Sequence, residues 1–456
     1  MAETVAEGIR HGRRERRALG KAHREAVPRA AHGVWEPAAD RKDPIEIIEE
    51  TNIGRVPELI PIRHGRMLAN PFAFFRGSAA LMASDLASTP ATGIQVQACG
   101  DCHLANFGLF ATPERNLVFD LNDFDETLPG PWEWDIKRLA VSFVLAGRNA
   151  GLSDRDADVA VRVLTGSYRR RLNEYAGMRV LDVWYSRLDD KTLIETAPDA
   201  ESREFRKRIA ARARSSIAEY LFPKITDIVD GSPRIADKPP LIYHLPDFDD
   251  INERIKKIDS TYRKSMPGHM HKLLDQYQLV DFAFKVVGVG SVGTRCYVFL
   301  LMAGDDDPLF LQVKEARASV LEPYLKKSKH RHHGQRIVVG QRLTQSASDM
   351  FLGWLTSLEG HHFYVRQLRD MKYSIPLDEI SAKQLARYAD VCGWVLARAH
   401  ARSGHAATIA GYLGKSDAFD DAMRVFARAY ADQTAQDYQE FVDAEKTGRI
   451  RAEFDY

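Results

Sequence analysis

The amino-acid sequence predicts an α+β protein in which a small antiparallel-sheet lobe, at about residues 276–380, lies over a large and mainly helical lobe. Three apolar, strand-like segments follow one another between residues 280 and 313 with short turns between them, as in an antiparallel meander. Apolar residues at helical spacing run through residues 153–176 and 381–402. A polar, Pro-containing stretch at about residues 231–250 separates the two patterns and is the best linker candidate.

Helices alternate with short strands in the first part of the chain. Residues 71–87 are rich in apolar and small side chains and predict a helix, and residues 94–98 predict a short strand. Residues 107–110 and 116–121 predict the two strands of a hairpin, because Pro and polar residues lie between them. A further helix is expected after the turn at residues 128–131.

The remaining elements complete the two lobes. Further helices are predicted at residues 153–176, 202–220, 316–326, 381–402 and 417–445, and further strands at residues 280–287, 294–302, 309–313, 337–340 and 362–368. The predicted regions are a basic N-terminal arm at 1–45, a helical lobe at 46–232, a linker at 233–275, the antiparallel lobe at 276–380, and C-terminal helices at 381–456 that pack on the helical lobe.

Composition excludes several classes of protein. The 456-residue chain is 45% hydrophobic and 28% charged, as in ordinary globular proteins, and its net charge of +1 argues against a general nucleic-acid coat. No apolar run is long enough to cross a membrane, and the N-terminus has no apolar stretch of the secretory type. We therefore expect a cytoplasmic protein with neither a membrane nor a specific nucleic acid as its partner.

Basic residues and cysteines are concentrated at a few places. Seven basic residues lie between Arg10 and Arg24, and a second basic cluster occupies residues 326–331. Because neither cluster has interleaved aromatic residues, both predict solvated, mobile segments. Four cysteines are too few for a disulfide scaffold, and we interpret Cys99 and Cys102 as structural.

The strongest chemical pattern is an acidic cluster after the predicted strand at residues 94–98. Asp101 and Asn106 lie five residues apart, and Asp123 follows 17 residues after Asn106. Phosphoryl transfer requires an acid that accepts a hydroxyl proton, and carboxylate and amide oxygens that bind magnesium. We predict that Asp101 is the catalytic base and that Asn106 and Asp123 bind the metal. Residues predicted to assist them are His103 at the catalytic position and Asp120 and Asp125 as further metal ligands.

A glycine-rich turn between two predicted strands is the second pattern. Its candidate nucleotide-binding residues are Gly288, Gly290, Ser291 and Gly293. A strand–turn–strand arrangement lets backbone N–H groups cover nucleotide phosphates, whereas a dinucleotide-binding fold needs a helix after the turn. Lys314 ends the third strand of the meander and is placed to reach the same phosphates. A carboxylate of the following predicted helix should pair with this lysine, and the candidates are Glu322 first and Glu315 second.

These residues resemble the pattern of the protein-kinase-like superfamily, and are closest in style to aminoglycoside and other small-molecule phosphotransferases. The resemblance implies a two-lobed kinase-like fold in which Asp101 is the catalytic-loop base, Asn106 the metal-binding amide and Asp123 the metal-binding acid. It also implies that the glycine turn and Lys314 hold the phosphates. The implied cofactors are ATP, or another nucleoside triphosphate, and Mg²⁺ or Mn²⁺. The implied activity is phosphate transfer to an unidentified hydroxyl acceptor, either a small molecule or a protein.

Nearly the whole chain from about residue 26 also resembles the bacterial DUF2252 family, a domain of unknown function. The segments that carry this resemblance are long and specific. They are residues 71–77 (PFAFFRG), 100–108 (GDCHLANFG), 119–138 (FDLNDFDETLPGPWEWDIKR), 340–354 (GQRLTQSASDMFLGW) and 392–404 (CGWVLARAHARSG). This resemblance brings no established substrate.

The order of the motifs departs from that of ordinary kinases. In those enzymes the glycine turn and the lysine precede the catalytic loop, whereas here Asp101 comes nearly two hundred residues before Gly288. A circular permutation would reconcile the two orders, because chain ends that lie close together on a surface tolerate relocation. The helix at residues 385–402 resembles the one that directly precedes the catalytic loop in kinase-like phosphotransferases. The helix at residues 71–87 is its rival for that position.

Three other functions remain open for the same residues. A metal-dependent phosphoesterase would explain the run at Gly100–His103, but it would need further His-rich segments to hold two metals. A pseudokinase scaffold would bind nucleotide without turnover and use the basic arm and the final helices as docking surfaces. A nucleotidyl transferase would bind the nucleotide in the inverted orientation and transfer AMP.

Overall fold

The structure is a computed structural model, and it describes residues 12–246, 251–304, 307–368 and 371–454. It confirms the predicted α+β class, because many helices surround several small antiparallel sheets. No helix in these described ranges is both long enough and apolar enough to cross a lipid bilayer.

Helices and strands are distributed along the whole described chain. The helices are α1 (Arg13–Ala26), α2 (Pro44–Asn52), α3 (Ile60–Met67), α4 (Pro71–Gly77), α5 (Ala79–Ala87), α6 (Trp132–Asn149), α7 (Asp154–Tyr175), α8 (Val180–Tyr185), α9 (Asp190–Glu195), α10 (Ala200–Arg214), α11 (Ala218–Ile225), α12 (Ile251–Lys264), α13 (Gly268–Leu274), α14 (His333–Thr344), α15 (Ala382–Ser403), α16 (Ala406–Leu413) and α17 (Ala418–Lys446). The strands are β1 (Gln95–Ala98), β2 (Phe107–Ala111), β3 (Leu117–Leu121), β4 (Leu128–Pro131), β5 (Thr226–Val229), β6 (Ser232–Ile235), β7 (Ile242–Tyr243), β8 (Gln278–Lys285), β9 (Cys296–Met302), β10 (Pro308–Glu315), β11 (Gly353–Thr356) and β12 (His362–Gln367).

The helical part of the molecule is built around α6, whose residues are buried from Trp132 to Gly147. Burial on every face is expected only for a helix at the centre of a core. Trp132 stacks on Tyr168 of α7 with ring centroids 5.8 Å apart, and the Tyr168 hydroxyl is 2.7 Å from Nδ1 of His400 on α15. The late helix α15 therefore packs into the same core as the early helices.

A six-stranded antiparallel sheet forms the other part, in the order β11-β12-β10-β9-β8-β7. It confirms the predicted meander as β8, β9 and β10, and the predicted strand at residues 362–368 as β12. On one face of β10, Leu309 and Val313 pack with α12 and α13. On the other face, Phe310 packs with α11 and Lys314 meets the acidic segment of the helical part.

Two strand pairs carry the acidic segments. β2 and β3 form the predicted hairpin with Phe107 opposite Leu121, and β1 pairs with β4. The backbone N–H of Asn122 donates to the carbonyl of Asn106 at 2.8 Å. The segment that follows β1 and the segment that follows β3 therefore lie side by side.

Two predicted elements near the sheet are wrong. Residues 316–326 are not a helix: residues 316–319 have no regular secondary structure and a turn follows at 320–324, since Pro323 lacks the N–H that a helix interior needs. Residues 337–340 are not a strand but part of α14, whose first turn is capped by Nδ1 of His332 accepting from the Gln335 N–H. A short apolar run cannot by itself distinguish a strand from a buried helix.

The other predicted helices are present with changes at their ends. The helix at 71–87 is interrupted at Ser78 into α4 and α5, and the helix at 202–220 corresponds to α10 and the start of α11. The predicted linker at 233–275 contains β7, which pairs with β8, and α12, which packs against β11. This segment is therefore part of the sheet region.

The basic arm is anchored where the structure describes it. Arg10 lies outside the described residues, but the others are on α1, which packs against α16; a Cβ on Gly20 would be 1.9 Å from the carbonyl oxygen of Thr408. Arg13 donates to the carbonyl of Gly177, and Arg24 donates to that of Tyr412, each at 2.8 Å. The prediction of a mobile arm is wrong for residues 13–26, because guanidinium groups cap the carbonyl ends of helices.

Candidate active site

A cavity of about 710 Å³ lies between the glycine turn of the sheet and the acidic segments of the helical part. Most of the predicted site residues line it, although they come from distant parts of the chain. They are Asp101, His103, Asn106, Asp123, Asp125, Gly288, Gly290, Ser291 and Lys314.

The segment that carries Asp101 is held by the start of α6. Asp135 accepts hydrogen bonds from the N–H groups of Cys99 and Gly100 at 2.7 and 3.0 Å. Gly100 has a φ of +86°, and a Cβ there would be 2.4 Å from the carbonyl oxygen of Glu126, so the turn requires glycine. The Asp101 carboxylate accepts from Nε of Arg138 at 2.6 Å and is 22% exposed. Its position is thus fixed while it remains open to the cavity.

The side chain of Asn106 is oriented by the same segment. Its Nδ2 donates to the carbonyl oxygen of Asp101 at 2.7 Å. This bond uses the donor side of the amide, so Oδ1 is the atom available to a cation. The arrangement suits the predicted metal-binding role of Asn106.

Asp123 and Asp125 are neighbouring carboxylates with different surroundings. Burial raises the pKa of Asp123, and the charge of Asp125 adds to this shift. Burial also acts to raise the pKa of Asp125, but the charge and hydrogen bond of Lys314, together with the Tyr364 hydroxyl and the charge of Arg366, outweigh burial, and the pKa is lowered. Two carboxylates with opposite shifts are expected to have separate roles.

Lys314 joins the sheet to the acidic segment. Its Nζ pairs with Oδ2 of Asp125, which also accepts from Oγ of Ser291 at 3.2 Å. Oδ1 of Asp125 accepts from the Tyr364 hydroxyl at 2.8 Å. Burial opposes the charge of Lys314, but the nearby carboxylates raise its pKa well above the usual value. The lysine is therefore charged at neutral pH and directed into the cavity.

The glycine turn is held by arginines of the helical part. Arg55 donates to the carbonyl of Gly290 at 3.0 Å and also to that of Val292, and Arg66 donates to the carbonyl of Val287. Gly293 has a φ of +83° and lies against the Arg55 side chain rather than in the cavity wall. Of the four predicted residues of the turn, Gly288, Gly290 and Ser291 therefore line the cavity and Gly293 does not.

The predicted partner of Lys314 is wrong. Asp125 makes the pair, whereas Glu315 pairs with Arg295 and Oε1 of Glu322 is buried with no hydrogen-bond partner. Glu322 lies in the turn before Pro323, so it has no helix to direct it toward the lysine.

Asp120 does not line the cavity. Its Oδ1 pairs with Arg398 at 2.6 Å, and its Oδ2 accepts from both the N–H and Oγ of Ser346 at 2.8 and 2.7 Å. Because both oxygens are used inside the protein, the predicted metal role of Asp120 is replaced by a structural one. It ties β3 to α15.

His103 is a buried neighbour of the candidate base. Its Nε2 is 3.9 Å from Oδ2 of Asp101, and its Nδ1 is buried without a partner. Burial, together with the charges of Arg76 and Arg138, lowers the pKa of His103 well below its usual value. The imidazole is thus neutral at pH 7 and can contribute a hydrogen bond but no charge.

Positive charge exceeds negative charge around the cavity, and sequence reasoning did not predict this excess. The acidic side chains in its wall are Asp101, Asp123, Asp125 and Glu126. The basic ones are Arg55, Arg63, Arg76, Arg212, Lys224, Lys285, Lys314, Arg366 and Lys372. Such an excess suits a polyanionic ligand, such as a chain of phosphates.

The donor set for a metal is small. Within the described ranges, no group of three or more His, Cys, Asp or Glu side chains is placed to hold a metal ion. Asp123 and Asn106 together offer one carboxylate and one amide oxygen. Magnesium commonly binds through one or two carboxylates together with substrate phosphates and waters, so this set fits a metal that arrives with a nucleotide.

Two histidines near the start of α14 and the two cysteines near Asp101 have structural positions. His332 caps α14 and stacks on His362 with ring centroids 3.9 Å apart. Cys99 and Cys102 are buried, and burial raises the pKa of Cys102 well above its usual value. A buried, protonated thiol is a poor nucleophile, in agreement with the interpretation of these cysteines as structural.

Residues 55–444 match the profile of a family described as uncharacterized proteins conserved in bacteria (DUF2252). The chain belongs to this family. The match confirms the DUF2252 resemblance of the motif segments, and it includes every predicted site residue. No curated protein and no solved structure matches the DUF2252 chain.

We expect Glu126, which lies in the cavity wall, to make the stability of the folded protein depend on pH. Burial raises the pKa of Glu126 to about 7 from 4.5. Because the folded protein holds this proton where the unfolded chain releases it, Glu126 makes the folded state less stable as pH rises from 4.5 to 7. Glu126→Gln should therefore gain about 1–3 kcal/mol relative to wild type across this interval, measured by urea unfolding at several pH values.

The glutamine preserves the acceptor for the Val320 N–H, which is 2.7 Å from Oε2 of Glu126. Glu195→Gln, at an exposed position, is the control and should show no pH-dependent gain. A stability difference between Glu126→Gln and wild type that stays constant with pH would contradict the expectation.

Proposed function

We propose that the protein is a kinase-like phosphotransferase that uses ATP, or another nucleoside triphosphate, and Mg²⁺ or Mn²⁺ to phosphorylate a hydroxyl acceptor. The observation that carries the proposal is the contact of Lys314 and Ser291 with Asp125, which closes the sheet over the acidic segments. This contact brings a base, two metal donors, a lysine and a glycine turn to a single cavity. Phosphoryl transfer needs this set of groups.

The residues of the cavity have separable roles in this proposal. Lys314 and the glycine turn hold the nucleotide phosphates, and Asp123 and Oδ1 of Asn106 hold the metal. When bound, the metal–nucleotide supplies the phosphoryl group and neutralises part of its charge. Asp125, predicted from the sequence as a further metal ligand, is assigned instead to holding Lys314 in place, as a helix glutamate does in protein kinases.

Asp101 accepts the proton of the acceptor hydroxyl as the oxygen attacks phosphorus. Arg138 holds one oxygen of its carboxylate, and the other oxygen, Oδ2, is 3.9 Å from His103. A base must be within hydrogen-bond reach of the proton that it removes, and a fixed carboxylate at the cavity wall satisfies this need.

The proposal includes a two-lobed kinase-like fold in circularly permuted order. It is supported by the position of the glycine turn between β8 and β9 and of the lysine on β10, the third strand of the meander. It is also supported by α15, where the Tyr388 hydroxyl donates to the carbonyls of Leu104 and Phe107 in the catalytic segment. α4 contacts this segment through the Phe72 ring, edge-on to His103 with ring centroids 6.3 Å apart, and the carbonyl of Phe75 accepts from Arg138 of α6, which also donates to Asp101. These contacts favour α15 as the bracing helix.

Asp123→Ala tests the proposal. Wild type should bind ATP more tightly with Mg²⁺ than with EDTA, and Asp123→Ala should bind ATP equally in both, because the only carboxylate proposed to ligate the metal is lost. Titration calorimetry measures these affinities. Asp182→Ala, on the exposed helix α8, should keep the wild-type difference. Equal magnesium dependence in Asp123→Ala and wild type would overturn the metal assignment.

The reaction type is tested separately with candidate acceptors. Magnesium-dependent consumption of ATP supports transfer, cleavage of phosphoesters without ATP supports hydrolysis, and nucleotide binding without turnover supports a pseudokinase. Mass spectrometry of the product distinguishes an added phosphate from an added nucleotide.

A further inference from the structure

Arg76 occupies an unusual place in the cavity wall. It lies in the last turn of α4, on a segment that also packs against the glycine turn: its carbonyl oxygen would be 3.3 Å from a Cβ on Gly290. Its Nη2 would be 3.8 Å from a Cβ on Gly288. The guanidinium group is therefore beside the turn that is proposed to hold phosphates.

The guanidinium group also lies within electrostatic range of the two carboxylates that are proposed as the base and the metal ligand. The carboxylates of Asp101 and Asp123 act electrostatically on Arg76, and Arg76 in turn acts on His103. Burial nevertheless lowers the pKa of Arg76, because the charge is removed from water more than these carboxylates compensate. Arg76, Asp101, Asp123 and the glycine turn all line the same cavity, so the positive charge lies close to the candidate base and the metal-binding acid.

Arg76 makes no hydrogen bond or ion pair with any part of the chain that the structure describes, and its Nε is buried without a partner. Other arginines of the same wall are used within the protein: Arg63 donates to Asn52 and Gly77, and Arg366 donates to Gln312. The Arg76 side chain is half-buried, and a guanidinium that is partly removed from water without an acceptor is stabilised when an anion binds it.

We infer that Arg76 binds the terminal phosphoryl group of the bound nucleotide and stabilises it during transfer. This inference rests on the proposed function. The phosphoryl group would be held by a metal bound to Asp123 and attacked by a hydroxyl that donates to Asp101. It must therefore lie between these two residues, in the cavity that Arg76 also lines. Its equatorial oxygens carry the developing charge, and an arginine supplied from within the same chain stabilises such charge in other phosphoryl-transfer enzymes.

The proposed transfer forms one bond and breaks one bond. The acceptor oxygen forms a bond to the terminal phosphorus while the bond from that phosphorus to the bridging oxygen breaks. The hydroxyl proton passes to Asp101, and the nucleoside diphosphate leaves. Arg76 gains and loses no proton, and it contacts the group that moves.

The test compares a triphosphate with a diphosphate. With Mg²⁺ present, Arg76→Ala should weaken binding of the non-hydrolysable β,γ-imido analogue of ATP about tenfold or more, but weaken binding of ADP less than about twofold. The reason is that only the triphosphate has the group that Arg76 contacts. Arg76→Gln keeps the volume of the side chain and should show the same selective loss, and Arg76→Lys should recover part of it. Circular dichroism confirms folding of each variant.

Arg212→Ala is the matched control, since Arg212 lines the same cavity from the exposed end of α10. Loss of its charge should affect the two nucleotides to a similar extent. Equal weakening of both ligands in Arg76→Gln, or no weakening of either, would overturn the role of Arg76. Failure of wild type to bind either nucleotide would instead remove the proposed function, and with it this inference.

Discussion

Asp101→Asn should lower the rate of phosphate transfer about 10²–10⁴-fold, which is the usual contribution of a general base. Asparagine retains an oxygen that accepts from Arg138, 2.6 Å away in the wild type, so the segment should keep its shape. The amide cannot take a proton from the acceptor hydroxyl. Affinity for magnesium and nucleotide should change less than about twofold, because Asn106 and Asp123 are untouched.

The measurement is formation of nucleoside diphosphate under saturating nucleotide, with titration calorimetry for affinity. Asp182→Asn, on the exposed face of α8, is the control and should have wild-type turnover. An Asp101→Asn variant that transfers phosphate at the wild-type rate would refute the assignment of Asp101 as the base. A parallel loss of nucleotide affinity would show that Asp101 acts in binding.

Asp120→Ala should lower the free energy of unfolding by about 3–5 kcal/mol, because it leaves the charge of Arg398 buried and unpaired. The Asp120 and Arg398 side chains are 0% and 2% exposed, and they join β3 to α15 across 278 residues of the chain. Urea unfolding measures the loss. The double variant Asp120→Ala/Arg398→Met should be markedly more stable than Asp120→Ala, since neither charge then remains in the core.

An exposed pair of the same kind provides the comparison. Arg179 and Asp182 are 82% and 37% exposed, so Asp182→Ala should change stability far less than Asp120→Ala. If Asp120→Ala lowered the free energy of unfolding no more than Asp182→Ala does, the proposed contribution of the Asp120–Arg398 pair to stability would be refuted.

Local pattern was sufficient for part of the fold. Three apolar segments separated by short turns predicted β8, β9 and β10, and the turn residues between 110 and 116 predicted the β2–β3 hairpin. These elements depend on neighbours in the chain, which a sequence displays directly. Residues 337–340 were misassigned because a buried apolar run carries no period that distinguishes a strand from a helix.

The N-terminal arm shows a different limit. A run of arginines predicts a solvated segment when only charge is considered, yet Arg13 and Arg24 donate to carbonyls at the ends of α7 and α16. The partners are backbone atoms, which have no side-chain identity to recognise in a sequence. The same is true of Arg55, which donates to backbone carbonyls of the glycine turn.

The sequence by itself identified the acidic cluster, the glycine turn and Lys314 as candidate site residues. The first two are short runs of residue types that few other chemistries require, and Lys314 ends a predicted strand close to the turn. It could not determine which carboxylate meets Lys314, and Asp125, 189 residues away, proved to be the partner in place of Glu322. Nor could it distinguish the role of Asp120, which forms a buried ion pair with Arg398, from that of Asp123, which lines the cavity. These choices depend on burial and long-range contact, and only the tertiary structure brings the chosen side chains together.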